Sequence, residues 1–174
     1  MRRIYAVVIG VAMLLVTAGH ASADPYTRST AHQQAIDYVI ARALAQRGVP
    51  FVYGGGDATG PTSKAARKDA DPAVLAFDPT ATVAGFDASG LMLYAFAGVG
   101  VKIPRSSGDQ FLAAAKVAPA QALPGDLLFY GPNGTQSVAM YLGNGQMLEA
   151  TDPAVAVTPV RTANMMPYLG RFIA

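Results

Sequence analysis

The chain has 174 residues, no cysteine, two histidines (His20 and His32) and a formal net charge of +2. The excess of basic side chains, 13 Lys and Arg against 11 Asp and Glu, equals the pair Arg2-Arg3 near the amino terminus. Because the remainder has no basic surplus, we expect no nucleic-acid partner. Without cysteine there is neither a disulfide nor a thiol nucleophile, and two histidines give no metal cluster, so no cofactor is expected.

Residues 1–23 have the pattern of a secretory signal peptide: paired arginines, an apolar run over residues 4–18 and Ala-Ser-Ala over residues 21–23. The apolar run is shorter than the roughly 20 residues of a membrane-spanning helix. We therefore expect cleavage, no stable membrane span afterwards, and a secreted protein of the periplasm or cell wall. The paired arginines fit both the general and the twin-arginine export routes. Residues 24–174 are long enough for one domain with its own core.

The first part of this domain is predicted to be helical, followed by irregular chain. Apolar residues recur at helical spacing after Thr30, which is expected to cap a helix over residues 31–47 that ends at the following glycine. His32 lies in its first turn, where a solvated histidine is the simpler interpretation. Residues 48–56 (GVPFVYGGG) predict an extended piece that turns on glycines. Residues 57–84 are polar and aperiodic, which predicts a long surface loop, either solvated or a lid.

The stretch GFDASGLMLYAF over residues 85–96 predicts a loop that turns into a buried helix over residues 87–97. Ser106 or Ser107 is expected to cap a second helix that ends near Ala115. Alternating patterns then predict strands, separated by an Asn-Gly turn and a Gly-Asn-Gly turn, at residues 126–130, 138–142, 147–150, 155–160 and 168–173. Helices followed by strands predict an α+β domain, with N-terminal helices packed on a central antiparallel sheet. The expected core residues are Leu91, Leu93, Tyr94, Phe96, Leu127, Phe129, Val138, Met140 and Leu142.

Four segments in this order resemble the NlpC-type family of papain-like peptidases, which cut the peptide stems of peptidoglycan. They are GVPFVYGGG, GFDASGLMLYAFAGVGVKIPRSSGDQF, LPGDLLFYGP and TQSVAMYLGNGQMLEA. The resemblance covers about residues 33–173 and is particularly strong to the non-catalytic RipD-type proteins of mycobacteria. It implies a papain-like α+β fold and a single degenerate NlpC-type domain over residues 24–174.

In that family a helix opens with Asp-Cys-Ser-Gly, where the cysteine is the nucleophile. A histidine at the start of a later strand is the base, and a polar residue on the next strand orients it. The resemblance assigns these three positions to Ala88, Ser137 and Glu149. Neither a methyl group nor a serine hydroxyl replaces the thiolate and imidazole that this chemistry needs. The resemblance therefore implies a domain that is not an enzyme.

Losing the chemical groups need not remove a binding cleft, so the favoured function is peptidoglycan binding in the organisation of the cell wall. Arg105 is a candidate to bind a carboxylate through its forked guanidinium, and a plain surface charge is an equally good interpretation. Asp87 is either a ligand contact or a helix cap. The candidate substrate-binding residues are Tyr53, Asp87, Ser89, Arg105, Ser106, Ser107 and Gln110.

Other interpretations stay open. A serine nucleophile at Ser89 or Ser137 would need a base within about 3 Å, and Glu149 is a poor base for a hydroxyl. Asp126 is expected to belong to a turn before a strand rather than to act as a catalytic acid. The alternative function is a regulatory domain that docks on, or competes with, an active peptidoglycan hydrolase. The expected partners are stem peptides or such a hydrolase, and the protein is expected to be a monomer. Engineering of an active enzyme would also leave alanine and serine at the two positions.

Overall fold

The computed structural model describes residues 28–174, so the signal peptide predicted at residues 1–23 lies outside the described residues. Within this part of the chain, none of the helices combines the length and apolar character that crossing a membrane requires. The helices are α1 (Thr30–Leu44), α2 (Pro72–Leu75), α3 (Ala88–Ala97) and α4 (Ser107–Ala113). The strands are β1 (Ala115–Val117), β2 (Leu127–Tyr130), β3 (Ser137–Gly143), β4 (Gln146–Ala150), β5 (Val155–Pro159) and β6 (Leu169–Arg171).

The strands form one sheet in the order β1-β6-β2-β3-β4-β5, with antiparallel pairing throughout. Each of the five predicted strands is present, with bounds that differ from the predictions by two residues or fewer. β1 was missed. The helix predicted to end near Ala115 stops at Ala113, and the residues after it pair with β6 instead. Three residues carry too little pattern to predict a strand whose partner lies about 55 residues further along the chain.

Helix α1 begins at Thr30, one residue earlier than a Thr30 cap would place it, so that assignment was wrong. Ser29 is the cap: its backbone is extended and its hydroxyl accepts the amide hydrogen of His32 at 3.2 Å. The helix ends at Leu44 rather than at Arg47, because the last residues before the glycine form turns instead. The exposed position of His32 agrees with the simpler interpretation of that residue.

Helix α3 is apolar on nearly all sides because it lies between α1 and the sheet. Asp87 caps it, accepting the amide hydrogen of Gly90 at 2.6 Å. Most of the predicted core is fully buried there and on the facing side of the sheet, whereas Leu93, Tyr94 and Leu142 are half-buried at its edge. Helix α3 thereby packs against β3 and β4.

Residues 57–84 lie mostly at the surface, as predicted, but they are not without structure. They contain a single 3₁₀ turn at Lys64–Ala66 and the short helix α2. Thr62 and Gly85 exchange backbone hydrogen bonds, which close the segment at its base. The Lys64 ammonium binds the Asp78 carboxylate at 2.7 Å, which links its two halves.

Candidate functional site: a polar cleft at the start of helix α3

A cleft of about 670 Å³ opens at the amino-terminal end of α3, and Ala88, Ser137 and Glu149 all line it. Ala88 is the first residue of α3 and Ser137 the first residue of β3. β3 and β4 pair with Met140 opposite Leu148, which puts residues 137 and 149 on the same face of the sheet. The structure thus brings together the three positions that the resemblance assigned to nucleophile, base and orienting group.

Among the described residues, no histidine lines the cleft. Of the described residues, His32 is the one histidine, and its ring contacts the Ala174 carbonyl oxygen instead of lining the cleft. Within residues 28–174 the Ser137 hydroxyl makes no hydrogen bond to another side chain. The Ser89 hydroxyl donates to Asp87 at 3.1 Å and accepts from Arg105 at 2.9 Å.

Glu149 is buried, with 2% of its side chain exposed, and its carboxylate is fully engaged. Thr158 Oγ1 donates to it at 2.7 Å, and Arg161 Nη1 donates to both of its oxygens at 2.6 Å. A buried carboxylate needs such compensation, because desolvation strongly disfavours an unpaired charge. Glu149 is therefore the anion of an ion pair, and within the described residues it makes no hydrogen bond to the Ser137 hydroxyl.

Asp87 is a helix cap, and it also joins three parts of the cleft wall. Besides capping α3 it accepts the amide hydrogen of Gly54 at 3.0 Å. Arg105 binds both of its oxygens, at 2.9 and 2.8 Å, and also donates to the Gly55 carbonyl oxygen at 3.0 Å. The forked guanidinium of Arg105 does bind a carboxylate through both terminal nitrogens, but that carboxylate belongs to Asp87 of the protein itself and not to a ligand. The network fixes the glycine turn, the start of α3 and the Arg105 segment relative to one another.

The other predicted binding residues occupy different depths. Tyr53 lines the rim with 76% of its surface exposed, and Ser106 and Ser107 line the wall at the start of α4. Ser106 also caps α4, where its hydroxyl accepts the Asp109 amide hydrogen at 3.2 Å. Gln110 does not line the cleft. It is fully buried beneath it, and its amide nitrogen donates to the carbonyl oxygens of Ser89 and Pro104.

Two arginines of the cleft were missed by sequence reasoning. Arg67 comes from the 57–84 segment and lies over Gly54, so this segment forms part of one wall. Arg161 follows β5 in irregular chain, with its guanidinium carbon 4.7 Å from the centre of the Tyr130 ring. Burial raises the pKa of the Tyr130 hydroxyl, which donates to the Arg161 carbonyl oxygen at 3.2 Å. No motif marks either arginine, although a buried glutamate does predict some cationic partner.

Asp126 lies outside the cleft, in the turn before β2, as the structural interpretation of this residue predicted. It is fully buried and binds the guanidinium groups of Arg28 and Arg171 at 2.9 and 2.7 Å.

Comparison with known proteins identifies relatives along most of the chain. Residues 48–173 match the NlpC/P60 family. Peptidoglycan endopeptidase RipB of Mycobacterium tuberculosis is 52% identical over 143 residues, which cover 81% of this chain and 54% of RipB. The chain thus spans about half the length of this curated relative.

Solved structures of related proteins agree with the match to this family. RipD of M. tuberculosis, described as a non-catalytic NlpC/p60 domain protein adapted to peptidoglycan binding, is 54% identical with a TM-score of 0.69, covering 80% of this chain and 98% of that chain. RipA structures, 49% identical with TM-scores of 0.70 and 0.71, cover 82% of this chain and 64% of theirs. One of these RipA structures carries a mutation at a cysteine, one at a histidine and one at a glutamate. The numbers of residues between these three positions in RipA equal the numbers between Ala88, Ser137 and Glu149 in this chain. The matches confirm the resemblance and the fold class inferred from the sequence.

Proposed function

Because the chain belongs to the NlpC/P60 family, we propose that it is an exported, non-catalytic member that binds peptidoglycan stem peptides and takes part in organising the cell wall. The observation that carries the proposal is a formed cleft lined by Ala88 and Ser137, at the positions that the resemblance assigns to nucleophile and base. RipA and RipB are named as endopeptidases, so the family alone does not decide between cutting and binding. The two residues favour binding, as does the description of RipD.

The remaining groups of the cleft support this choice. A thiol peptidase needs a thiolate beside an imidazole, and this chain has no cysteine. A serine would need a free base within hydrogen-bond reach. Asp87 is bound by Arg105 and Glu149 by Arg161, so both carboxylates of the cleft are neutralised.

The same cleft is well suited to binding. It combines arginine, serine and threonine side chains with the aromatic residues Phe51 and Tyr53, a mixture that suits a short polar peptide. Its wall is preorganised by the Asp87 network, which lowers the entropic cost of binding. Alanine and serine are smaller than the cysteine and histidine they replace, so the floor leaves room for a ligand.

The test is co-sedimentation of the mature protein with insoluble peptidoglycan, together with an assay of the supernatant for released peptides. We expect binding without release. Ala88→Leu, which fills the cleft floor, should weaken binding at least about ten-fold, or about 1.4 kcal/mol. The matched control Ala97→Leu lies at the other end of α3 and should bind normally.

A second pair of variants tests the lost chemistry. Ala88→Cys with Ser137→His restores both groups, whereas Ala88→Cys alone lacks the base. Cleavage by the double variant but not by the single one would support the descent of this cleft from a peptidase site. Release of peptides by the unaltered protein would overturn the non-catalytic assignment.

The alternative function, docking on an active hydrolase, has one observation in its favour. Val74 and Phe77 of the 57–84 segment are 66% and 90% exposed, an unusual position for large apolar side chains. Co-sedimentation that requires an added hydrolase and is lost on Phe77→Ser would favour this alternative over direct binding.

A further inference from the structure

Three arginines and two carboxylates line the cleft, and they differ in which donors remain available to a ligand. Arginine stays charged at any accessible pH, so its hydrogen-bond donors decide what it can bind. Both terminal nitrogens of Arg105 bind Asp87, and they also reach Ser89 and Gly55. Arg67 binds the exposed carboxylate of Asp69 through Nε and Nη2.

Arg161 is arranged differently. One terminal nitrogen, Nη1, holds both oxygens of Glu149, and Nε and Nη2 donate to no other residue of the described chain. The two partners also differ in depth, since 46% of the arginine side chain is exposed but only 2% of the glutamate side chain. A ligand entering the cleft therefore meets the cation, with the anion buried behind it.

The Arg161 guanidinium is also held in place before any ligand arrives. Glu149 fixes one of its edges, the Tyr130 ring supports it at 4.7 Å, and the Tyr130 hydroxyl holds its backbone carbonyl. Thr158 in turn donates to Glu149 and fixes the carboxylate. A guanidinium immobilised in this way loses little side-chain entropy when it binds a second carboxylate.

We propose that Arg161 binds a free carboxylate of the ligand and makes the cleft selective for the acid form of a peptide over its amide form. Glu149, at the position that orients a histidine in the family's peptidases, is here the positioning residue that holds Arg161. This inference rests on the proposed peptide binding and names the chemical form of the ligand. Arg105, which the sequence offered as the group that binds a ligand carboxylate, instead holds the cleft wall together by binding Asp87.

The test compares two soluble synthetic stem peptides, one with free carboxylates and one with every carboxylate converted to a primary amide, by calorimetry with the mature protein. We expect the acid form to bind about ten-fold more tightly, and added salt to reduce the preference, because a half-exposed charge is screened. Arg161→Gln should lose the preference. Arg47→Gln makes the same charge change outside the cleft and should keep it.

Because Arg161→Gln leaves Glu149 buried without its partner, the variant could fail to fold for that reason alone. The double variant Arg161→Gln, Glu149→Gln removes both charges and should fold with the preference abolished. Glu149→Gln alone keeps the cation but not its anchor, so the preference should shrink without vanishing.

The outcomes separate this inference from the proposed function. Equal binding of acid and amide by the unaltered protein, or an unchanged preference in the double variant, would overturn the role of Arg161 and leave peptide binding intact. Binding of neither peptide, nor of insoluble peptidoglycan, would overturn both.

Discussion

Substitution of Asp126 by Asn should destabilise the fold strongly although it changes a single atom type. The carboxylate is fully buried and accepts four hydrogen bonds, three from Arg28 and Arg171 and one from the Leu123 amide. The two arginine side chains are only 2% and 15% exposed. Burial already lowers the pKa of Arg28, because desolvation disfavours its charged form. Removing the anion leaves two buried cations uncompensated.

Breaking a buried ion pair by removing one partner costs about 3–5 kcal/mol. Domains of this size have a free energy of unfolding of about 5–15 kcal/mol, so the variant would lose a large part of its stability. At about 2–4 °C per kcal/mol, the thermal midpoint should fall by roughly 6–20 °C. Urea unfolding followed by circular dichroism gives the free energy directly.

Asp152→Asn is the matched control, since it makes the same chemical change at an exposed position whose side chain makes no hydrogen bond within the described chain. It should alter stability by no more than about 0.5 kcal/mol. If Asp126→Asn were as mild as this control, the buried ion cluster would not stabilise the fold. The surviving folded fraction should bind peptidoglycan normally, because Asp126 does not line the cleft.

Two further predictions concern the cleft wall and the neighbouring segment. Gly90→Ala would place a Cβ atom 2.2 Å from the Gly55 carbonyl oxygen, so the glycine turn must move away from α3. We expect a loss of about 3 kcal/mol in urea unfolding together with weaker peptidoglycan binding, and a fully stable variant would contradict the close contact. Hydrogen bonding from Lys64 is the main cause that lowers the pKa of the Asp78 carboxyl to about 2. Because the folded pKa lies below the unfolded one, the contact stabilises the segment above about pH 4 and is lost as the pH falls toward 2. Titration by NMR should show this midpoint, and Lys64→Met should raise it toward the ordinary value.

The elements that the sequence predicted well are those with local causes. The cap of α3 by Asp87 and that of α4 by Ser106, each one of two alternatives that the sequence left open, follow from side chains that bond to amides three residues away. The antiparallel meander follows from alternation and from turns built on Asn133 and Asn144, both with positive φ. Strand β1 was not predicted because it forms by pairing with β6, and no local sequence pattern indicates that pairing.

The candidate site also has features that follow from the sequence alone and features that depend on the folded structure. The sequence by itself determined that position 88 is alanine and position 137 is serine, because residue identity requires no coordinates, and the resemblance predicted that a thiol and an imidazole stand at these positions in the family's peptidases. Only the tertiary structure decided which charges are still available to a ligand. The sequence singled out Arg105 and passed over Arg161, yet Arg105 is bound by both terminal nitrogens to Asp87, whereas Nε and Nη2 of Arg161 donate to no other residue of the described chain. Hydrogen-bond partners that are far apart in the chain make that difference, and they come together only after the chain has folded.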